Sequence, residues 1–409
     1  MSSKEIIKSP EQLNNQKLVE LLQDLIRIPS WVPSETNLKS VQNENQLVDY
    51  LENWLKKNTH LDVYRQNLAD GRFNLIARRG NPDIVLLAHT DTVQPSADAP
   101  YDQFAAEIHD GKVWGLGSAD MKSGIAAISQ AISLSPDVDN IVYMLYADEE
   151  YDFLGMNGLI KDYGNLKPKF IISGDGSELK IGHGCRGLIE IRARVIGQTG
   201  HAAKGNGLSS IDGASNSILK LGDYLKNFEH PVMGKTSLNV AYLFGGKKFP
   251  GSESFSPETG FLTKVGQEGN VIADIAEFVI DVRPASPDLS SEKIIDFLND
   301  FLVSCGYKFE VVKLRHDYGA WYTDLKDIQS FREIAQRTRG MVDFDFAKPG
   351  ESGYLDIQML WEKLGRPPSL SYGAAMEAVG HKANEHIGIE ELIKTRNFFL
   401  EVLKTLSNK

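Results

Sequence analysis

His89 and Asp91 stand two positions apart where an apolar run, Ile84 to Ala88, gives out. On a strand that spacing puts an imidazole and a carboxylate on one face at the C-terminal end, the edge where open α/β sheets place their sites. A metal-binding histidine commonly hands its second ring nitrogen to a carboxylate or carbonyl, so Asp91 is the nearest candidate to orient His89. Taken alone, the pair reads first as polar residues in a solvated loop.

Three further segments change that reading. Gly115 to Gly124, GLGSADMKSG, is a glycine-punctuated loop opening into a helix, with Asp120 at its centre. Its spacing fits neither a Walker loop nor a dinucleotide fingerprint, which leaves Asp120 as a ligand or a helix cap. The apolar run Ile141 to Ala147 leads into Asp148, Glu149 and Glu150, and like charges that close repel unless cations neutralise them or one acid keeps its proton. Phe170 to Ser173 leads to Gly174-Asp175-Gly176. Three expected strand ends thus carry acids or histidine, and oxygen and imidazole donors without thiolates suit zinc, manganese or cobalt.

The elements that must position these groups are legible in the periodicity. Leu18, Leu21, Leu22, Leu25 and Ile26 mark an amphipathic helix over Gln16 to Ile28, ended by Pro29, and a second helix is expected over Asn43 to Lys57. The short apolar runs, separated by helical stretches such as Gly124 to Leu134, predict buried strands. From Gly187 the texture turns to alternation: Ile189, Ile191, Ala193 and Val195 interleave with Glu190, Arg192 and Arg194. A helix over Ile211 to Leu225, strands around Leu238 to Phe244 and Ala276 to Val282, and a helix over Glu292 to Leu302 follow. Helical periodicity returns at Ile328 to Arg337 and again over Ile389 to Leu406. The expected fold is α/β, a mixed, mostly parallel sheet with helices on both faces, formed by residues 1–186 and 316–409, with a smaller α+β domain inserted at 187–315. Lys247 to Thr263, rich in Gly, Ser and Pro, reads as a long loop.

Bulk properties narrow the function. The 409 residues are 42% hydrophobic and 24% charged, an ordinary globular balance that disfavours disorder and coiled coil. Lys and Arg number 44 against 55 Asp and Glu, a net charge of −11 that argues against nucleic acid as partner. Cys185 and Cys305 are too few and too far apart for a disulfide framework or thiolate zinc site, and no apolar run is long enough to span a membrane. A cytoplasmic protein is expected.

In order and spacing, HTD at 89–91, GLGSADMKSG at 115–124, ADEE at 147–150, SGDGS at 173–177, GQTGHAA at 197–203 and GHKANEHI at 380–387 resemble a known family. It is that of the zinc-dependent amidohydrolases and metallopeptidases containing acetylornithine deacetylase, succinyl-diaminopimelate desuccinylase, glutamate carboxypeptidase and aminoacylase. The resemblance spans roughly residues 16–406 and implies a zinc-peptidase-like catalytic domain with an inserted lid and dimerisation domain. It implies two divalent metal ions per chain, zinc first with cobalt or manganese as alternatives. Asp120 would bridge them, with His89 and Asp175 on one and Glu150 and His381 on the other. Glu149 would be the general base, Asp91 would orient His89, and the Asp120-Met121 peptide would be cis. His386 competes with His381, but the family pattern of His followed by Asn384-Glu385 selects His381. His201 matches a histidine that reaches a partner subunit's site and stabilises the oxyanion, which implies a homodimer paired through the insert. Asn270 matches a polar residue near the substrate. Arg283 matches a position that either binds a substrate carboxylate or braces the insert.

The chain also departs from the pattern. The arginine that carboxypeptidase-like members place after the insert's last strand has only Arg315 and Tyr318, in LRHDYGAW, as counterparts. The Gly-rich Ser/Thr-Asp segment has become GESGYLDIQML, with Ser352 and Gly353 at the expected place and Asp356 displaced, and Gly-Pro-Gly has become Gly373-Ala374-Ala375. The implied reaction is hydrolysis of an amide in an N-acyl amino acid or a short peptide. Two rivals stand beside it: a non-catalytic relative kept as a binding module, and a metal-dependent phosphohydrolase, for which the core motifs supply only Lys122.

Overall fold

The computed structural model describes residues 9–31, 43–69, 71–251, 254–257, 259–340, 346–350, 355, 357–375 and 379–406. The chain begins with α1 (Pro10–Arg27), α2 (Asn43–Asn58), β1 (Asp62–Asn67), β2 (Phe73–Arg79), β3 (Ile84–His89), β4 (Ile108–His109), β5 (Lys112–Trp114) and α3 (Lys122–Ser133). It continues with β6 (Ile141–Tyr146), α4 (Leu154–Tyr163), β7 (Phe170–Ser173), β8 (Ile181–Gly182), β9 (Gly184–Cys185), β10 (Leu188–Ile196), α5 (Ser210–Leu225), β11 (Ser237–Gly246) and β12 (Ile275–Arg283). It closes with α6 (Ser291–Ser304), β13 (Lys308–Tyr318), β14 (Trp321–Tyr322), α7 (Gln329–Arg339), α8 (Ile357–Lys363), β15 (Ser369–Tyr372), β16 (His386–Gly388) and α9 (Ile389–Leu406).

Two compact units result. The first holds Met1–His183 and the chain from Thr323 apart from a short piece at Lys348; the second holds Gly184–Tyr322 and that piece. The boundary lies beyond the expected 315 because β13 continues through Tyr318 and β14 then pairs with β9, Trp321 opposite Cys185.

The first unit is built on a seven-stranded sheet in the order β1-β2-β6-β3-β7-β15-β8. Strands β6, β3, β7 and β15 run parallel, while β1, β2 and β8 are antiparallel to their neighbours. All six residues of β3 and of β6 are buried, which is why these strands read as continuous apolar runs rather than as alternation. Helices α1, α2, α3, α7 and α9 cover one face around Leu86, Ala88, Tyr143 and Ile172, and α4 and α8 cover the other. Helix α1 begins at Pro10, before its apolar stripe, because Ser9 and Gln12 form a reciprocal capping box. The β1–β2 hairpin and α4 have no counterpart among the sequence expectations; β1 shows a mixed exposure that gives no clean period.

In the second unit a four-stranded antiparallel sheet, β11-β12-β10-β13, packs one face on α5 and α6. The described residues of the stretch 247–266 are tied to the sheet. Leu262 N–H donates to Glu277 Oε2 at 2.7 Å, Arg194 Nη2 donates to Gly260 O at 3.0 Å, and Phe261 stacks on Tyr242. The connection is thereby folded back on the sheet's other face.

The terminal helix is anchored to the large sheet by Phe398, fully buried, whose ring stacks on Tyr372 of β15 with centroids 3.8 Å apart. Phe398→Ala should cost about 3–5 kcal/mol of unfolding free energy, read by denaturant unfolding; a loss under ~1 kcal/mol would show that the site closes over the cavity.

Candidate active site

The parallel register assembles the site. In β3 and β6, Ile84 lies opposite Ile141 and His89 opposite Tyr146; in β3 and β7, Leu87 lies opposite Ser173. The strands therefore end side by side, and His89-Thr90-Asp91, Asp148-Glu149-Glu150 and Gly174-Asp175-Gly176 emerge at one edge. Asp120 arrives from the loop before α3. A close approach of glycines permits this: a Cβ on Gly124 would stand 2.5 Å from the carbonyl oxygen of Gly174.

At that edge ligand atoms of His89, Asp120 and Asp175 lie within 4.8 Å of one another, as do those of Asp120, Glu150 and His381. Asp120 belongs to both groups. Its Oδ1 is 3.1 Å from His89 Nε2 and its Oδ2 3.1 Å from His381 Nε2, while His381 Nε2 is also 2.9 Å from Glu150 Oε1. A third group, His89 with Glu149 and Glu150, places the Glu149 carboxylate beside the same edge. The Asp120-Met121 peptide is cis.

The electrostatics reflect carboxylates crowded out of water. Burial, with the Asp120 charge adding to it, pushes Asp175 up to about 7. Burial also raises Glu150. Desolvation works against the charge of partly exposed Asp120, yet hydrogen bonds from His381 and His89 hold it below the usual carboxylate range. Hydrogen bonds to Asp120 and Glu150 lift His381 to about 10. Such a site gains from positive charge, and a carboxylate presenting opposite oxygens to two donor groups of oxygen and imidazole atoms fits a pair of divalent cations.

Asp91, fully buried, does two things. Its Oδ1 lies 3.4 Å from His89 Nδ1, and its carboxylate accepts the N–H of Glu149 at 3.0 Å and of Glu150 at 2.9 Å. Glu385 does the same for the Asp120 loop. It accepts from the N–H groups of Gly117, Ala119 and Asp120 at 2.8 to 2.9 Å, and burial pushes its carboxyl up to about 7. The Asn384-Glu385 pair marks His381 by resemblance, but no spacing rule marks Glu385 for holding the Asp120 loop. His386 is elsewhere engaged: its ring lies 4.2 Å from that of Trp114, its Nε2 accepts from Lys112 Nζ, and its Nδ1 faces Asn384 O.

Lys122 is also accounted for. Buried, it donates to the carbonyls of Leu25 and Ile28 at 3.0 and 2.8 Å, at the C-terminal end of α1, and burial lowers it to about 7. Its ammonium serves a helix end rather than an anionic substrate.

His201 and Asn270 belong to the second unit and are neighbours there: the Ala202 N–H donates to Asn270 O, and exposed His201 caps a short turn by accepting from Ala203 N–H. Arg283, at the end of β12, donates to Asp281 through Nε at 2.7 Å and Nη2 at 3.2 Å. Arg315 pairs with Glu190 at 3.6 Å, and Tyr318 ends β13. Ser352, Gly353 and Asp356 lie outside the described residues. Of the other altered stretch, Ala375 N–H donates to Gly176 O and Gly373 O accepts from Leu179 N–H, so 373–375 supports the turn after Asp175.

The description peptidase family M20/M25/M40 matches residues 85–405. An acetylornithine deacetylase of Proteus mirabilis (strain HI4320) is 29% identical over 300 residues, covering 69% of this chain and 71% of that protein. The crystal structure of a tripeptidase from Staphylococcus aureus superposes with a TM-score of 0.63 at 21% identity, over 97% of this chain and 99% of that one. A dinuclear metal binding peptidase of Bacillus subtilis gives 0.59 at 15% identity, over 96% and 99%.

Glu385→Ala would leave three N–H groups of the Asp120 loop without their acceptor. It should weaken metal binding about 10–100-fold with the fold retained, as read by calorimetric titration of the metal-free protein. Unchanged affinity would mean the loop keeps its shape unaided.

Proposed function

Because the chain belongs to peptidase family M20/M25/M40, and is a hydrolase of amide bonds, we propose that it is a two-metal enzyme acting on an N-acyl amino acid or a short peptide. The observation that carries this is Asp120, whose two oxygens face His89 and His381 separately. In this reading His89, Asp120 and Asp175 hold one cation and Asp120, Glu150 and His381 the other. Zinc, with cobalt or manganese as alternatives, supplies Lewis acidity toward the scissile carbonyl and acidifies a water.

Glu149 takes that water's proton and delivers it to the leaving amine. Its support is the neighbouring acid's different position: Glu150 is hydrogen-bonded to His381 and shares a group with Asp120, whereas Glu149 falls in neither of the two groups that contain Asp120. Asp91 keeps His89 oriented and, through the two N–H groups it accepts, spaces Glu149 from Glu150. His201, with Asn270 beside it, stabilises the oxyanion from a partner subunit in a homodimer paired through the second unit. Pairing is supported by β11, an edge strand that exposes Val240, Tyr242 and Leu243. A cytoplasmic location is supported by Cys185 and Cys305, both free; no helix among the described residues is long and apolar enough to cross a membrane.

A phosphohydrolase is disfavoured because Lys122, the cation of its core motifs, is spent on the end of α1. The binding-module reading is disfavoured because all the donor positions are filled by residues able to bind metal.

Glu149→Ala should lower kcat by about 10²–10⁴-fold while two metals per chain remain bound, read by amine release together with elemental analysis. Wild-type turnover in that variant would remove Glu149 from the role of base. The same assay on N-acetyl and N-succinyl amino acids against unblocked dipeptides separates deacylase from peptidase, and metal chelation should abolish activity on either panel. Inactivity of metal-loaded protein on both would sink the substrate class. Light scattering should give the mass of a dimer; a monomer at assay concentration would exclude His201 acting from a partner.

A further inference from the structure

Behind the acid turn lies a buried ion cluster with no part in the chemistry so far described. Glu44, in the first turn of α2 and 2% exposed, accepts from Thr90 Oγ1 at 2.7 Å through Oε1. Its Oε2 meets Arg72 Nη1 at 3.3 Å, and the same Nη1 donates to Asp148 Oδ1 at 2.9 Å. Asp148 is 1% exposed and has φ of +67°, a left-handed conformation uncommon for a residue with a Cβ. It is held there from every side. Its Oδ2 accepts from Leu154 N–H, its carbonyl oxygen accepts from Phe153 N–H, and its Oδ1 meets Arg72.

We propose that Glu44 and Arg72 form a positioning pair: through Thr90 and Asp148 they lock the His89-Thr90-Asp91 strand end to the Asp148-Glu149-Glu150 turn, and so set where the Glu149 carboxylate stands. The inference rests on Glu149 being the base of the proposed reaction. Neither residue touches substrate; both act through the turn. The two halves of that turn are fixed by different partners, Asp148 by Arg72 and the N–H groups of Glu149 and Glu150 by Asp91. Glu44 joins the partners, since it holds Arg72 on one oxygen and Thr90, next to Asp91, on the other.

Charge balance explains why an arginine is needed. Glu44, Asp91 and Asp148 are all buried, and carboxylates in that state must be paired or protonated. Burial, then the Asp91 charge, push Glu44 up to about 8 against the opposing pull of Arg72. Without the guanidinium, Asp148 loses its Oδ1 partner and the left-handed turn loses one of its restraints. A shift of about 1 Å in a reacting group costs up to about 10²-fold in rate.

The test uses the full-length, metal-loaded enzyme with the amide substrate that wild type cleaves best, and the variants Arg72→Met, Arg72→Lys, Glu44→Gln and Glu44→Gln/Arg72→Met. Arg72→Met should lose about 10–100-fold in kcat, with KM within about twofold and two metals still bound. Arg72→Lys should lie between it and wild type, and added guanidinium ion should restore part of the Arg72→Met rate. The double variant should fall little further than Arg72→Met alone, because the two act as one unit. In metal-free protein, amide hydrogen exchange at Glu149 and Glu150 should quicken while the thermal midpoint moves little.

A folded Arg72→Met with wild-type kcat overturns the proposal. So does a loss of rate matched by the loss of folded protein, with no guanidinium rescue and unchanged exchange at the turn. Should Arg72→Met not fold, Glu44→Gln, which keeps the volume and removes the ionisable carboxyl, decides instead: slower turnover with faster exchange supports the pair, and neither change overturns it. Wild type that hydrolyses no amide would sink the proposed function, yet leave the exchange experiment readable.

Discussion

Half-buried carboxylates at close quarters repel one another, and the first unit is organised around holding Asp120, Glu149, Glu150 and Asp175 together in spite of that. Hydrogen bonding alone does part of the work: His89 and His381 stabilise Asp120, while burial and then the Asp120 charge still push Asp175 up. The rest of the arrangement is scaffolding against relaxation. Asp91 receives two N–H groups of the acid turn, Glu385 three of the Asp120 loop, and Ser173 Oγ one from Asp175. Acids that would spread apart on flexible loops are tied by their own backbone.

This explains why so many polar groups sit where the core would otherwise be apolar. Lys122, Glu44, Asp91, Asp148 and Glu385 are almost fully buried, and each has a named partner: helix-end carbonyls, a threonine hydroxyl, backbone N–H groups or a guanidinium. A buried polar group is tolerated when it is satisfied, and a connected set of them specifies one arrangement more sharply than apolar contacts can. The second unit uses a single ion pair in the same way. Glu277, 1% exposed, takes both the Arg194 guanidinium and the Leu262 N–H, which pins a loop of weak local preference to the face of a sheet.

The strands that carry the site are legible before folding is considered, because β3, β6 and β7 are buried on both faces and so appear as uninterrupted apolar runs with chemistry at their ends. Candidate donors are legible as well, since the HTD, GLGSADMKSG, DEE and SGDGS segments are contiguous and their spacing is local. The long terminal helix was equally legible, its apolar positions recurring over Ile389–Leu406. Relations without a local period emerge from the folded chain alone. The seating of the β1–β2 hairpin on β6 and the continuation of β13 past residue 315 depend on partners distant in the chain. So do the roles of Glu385, which meets Gly117 across more than 260 residues, and of Arg72, whose charge matters only because Glu44 and Asp148 fold against it. Apolar periodicity records which face of an element is buried; it carries no record of which polar group, on another element, will answer a buried charge.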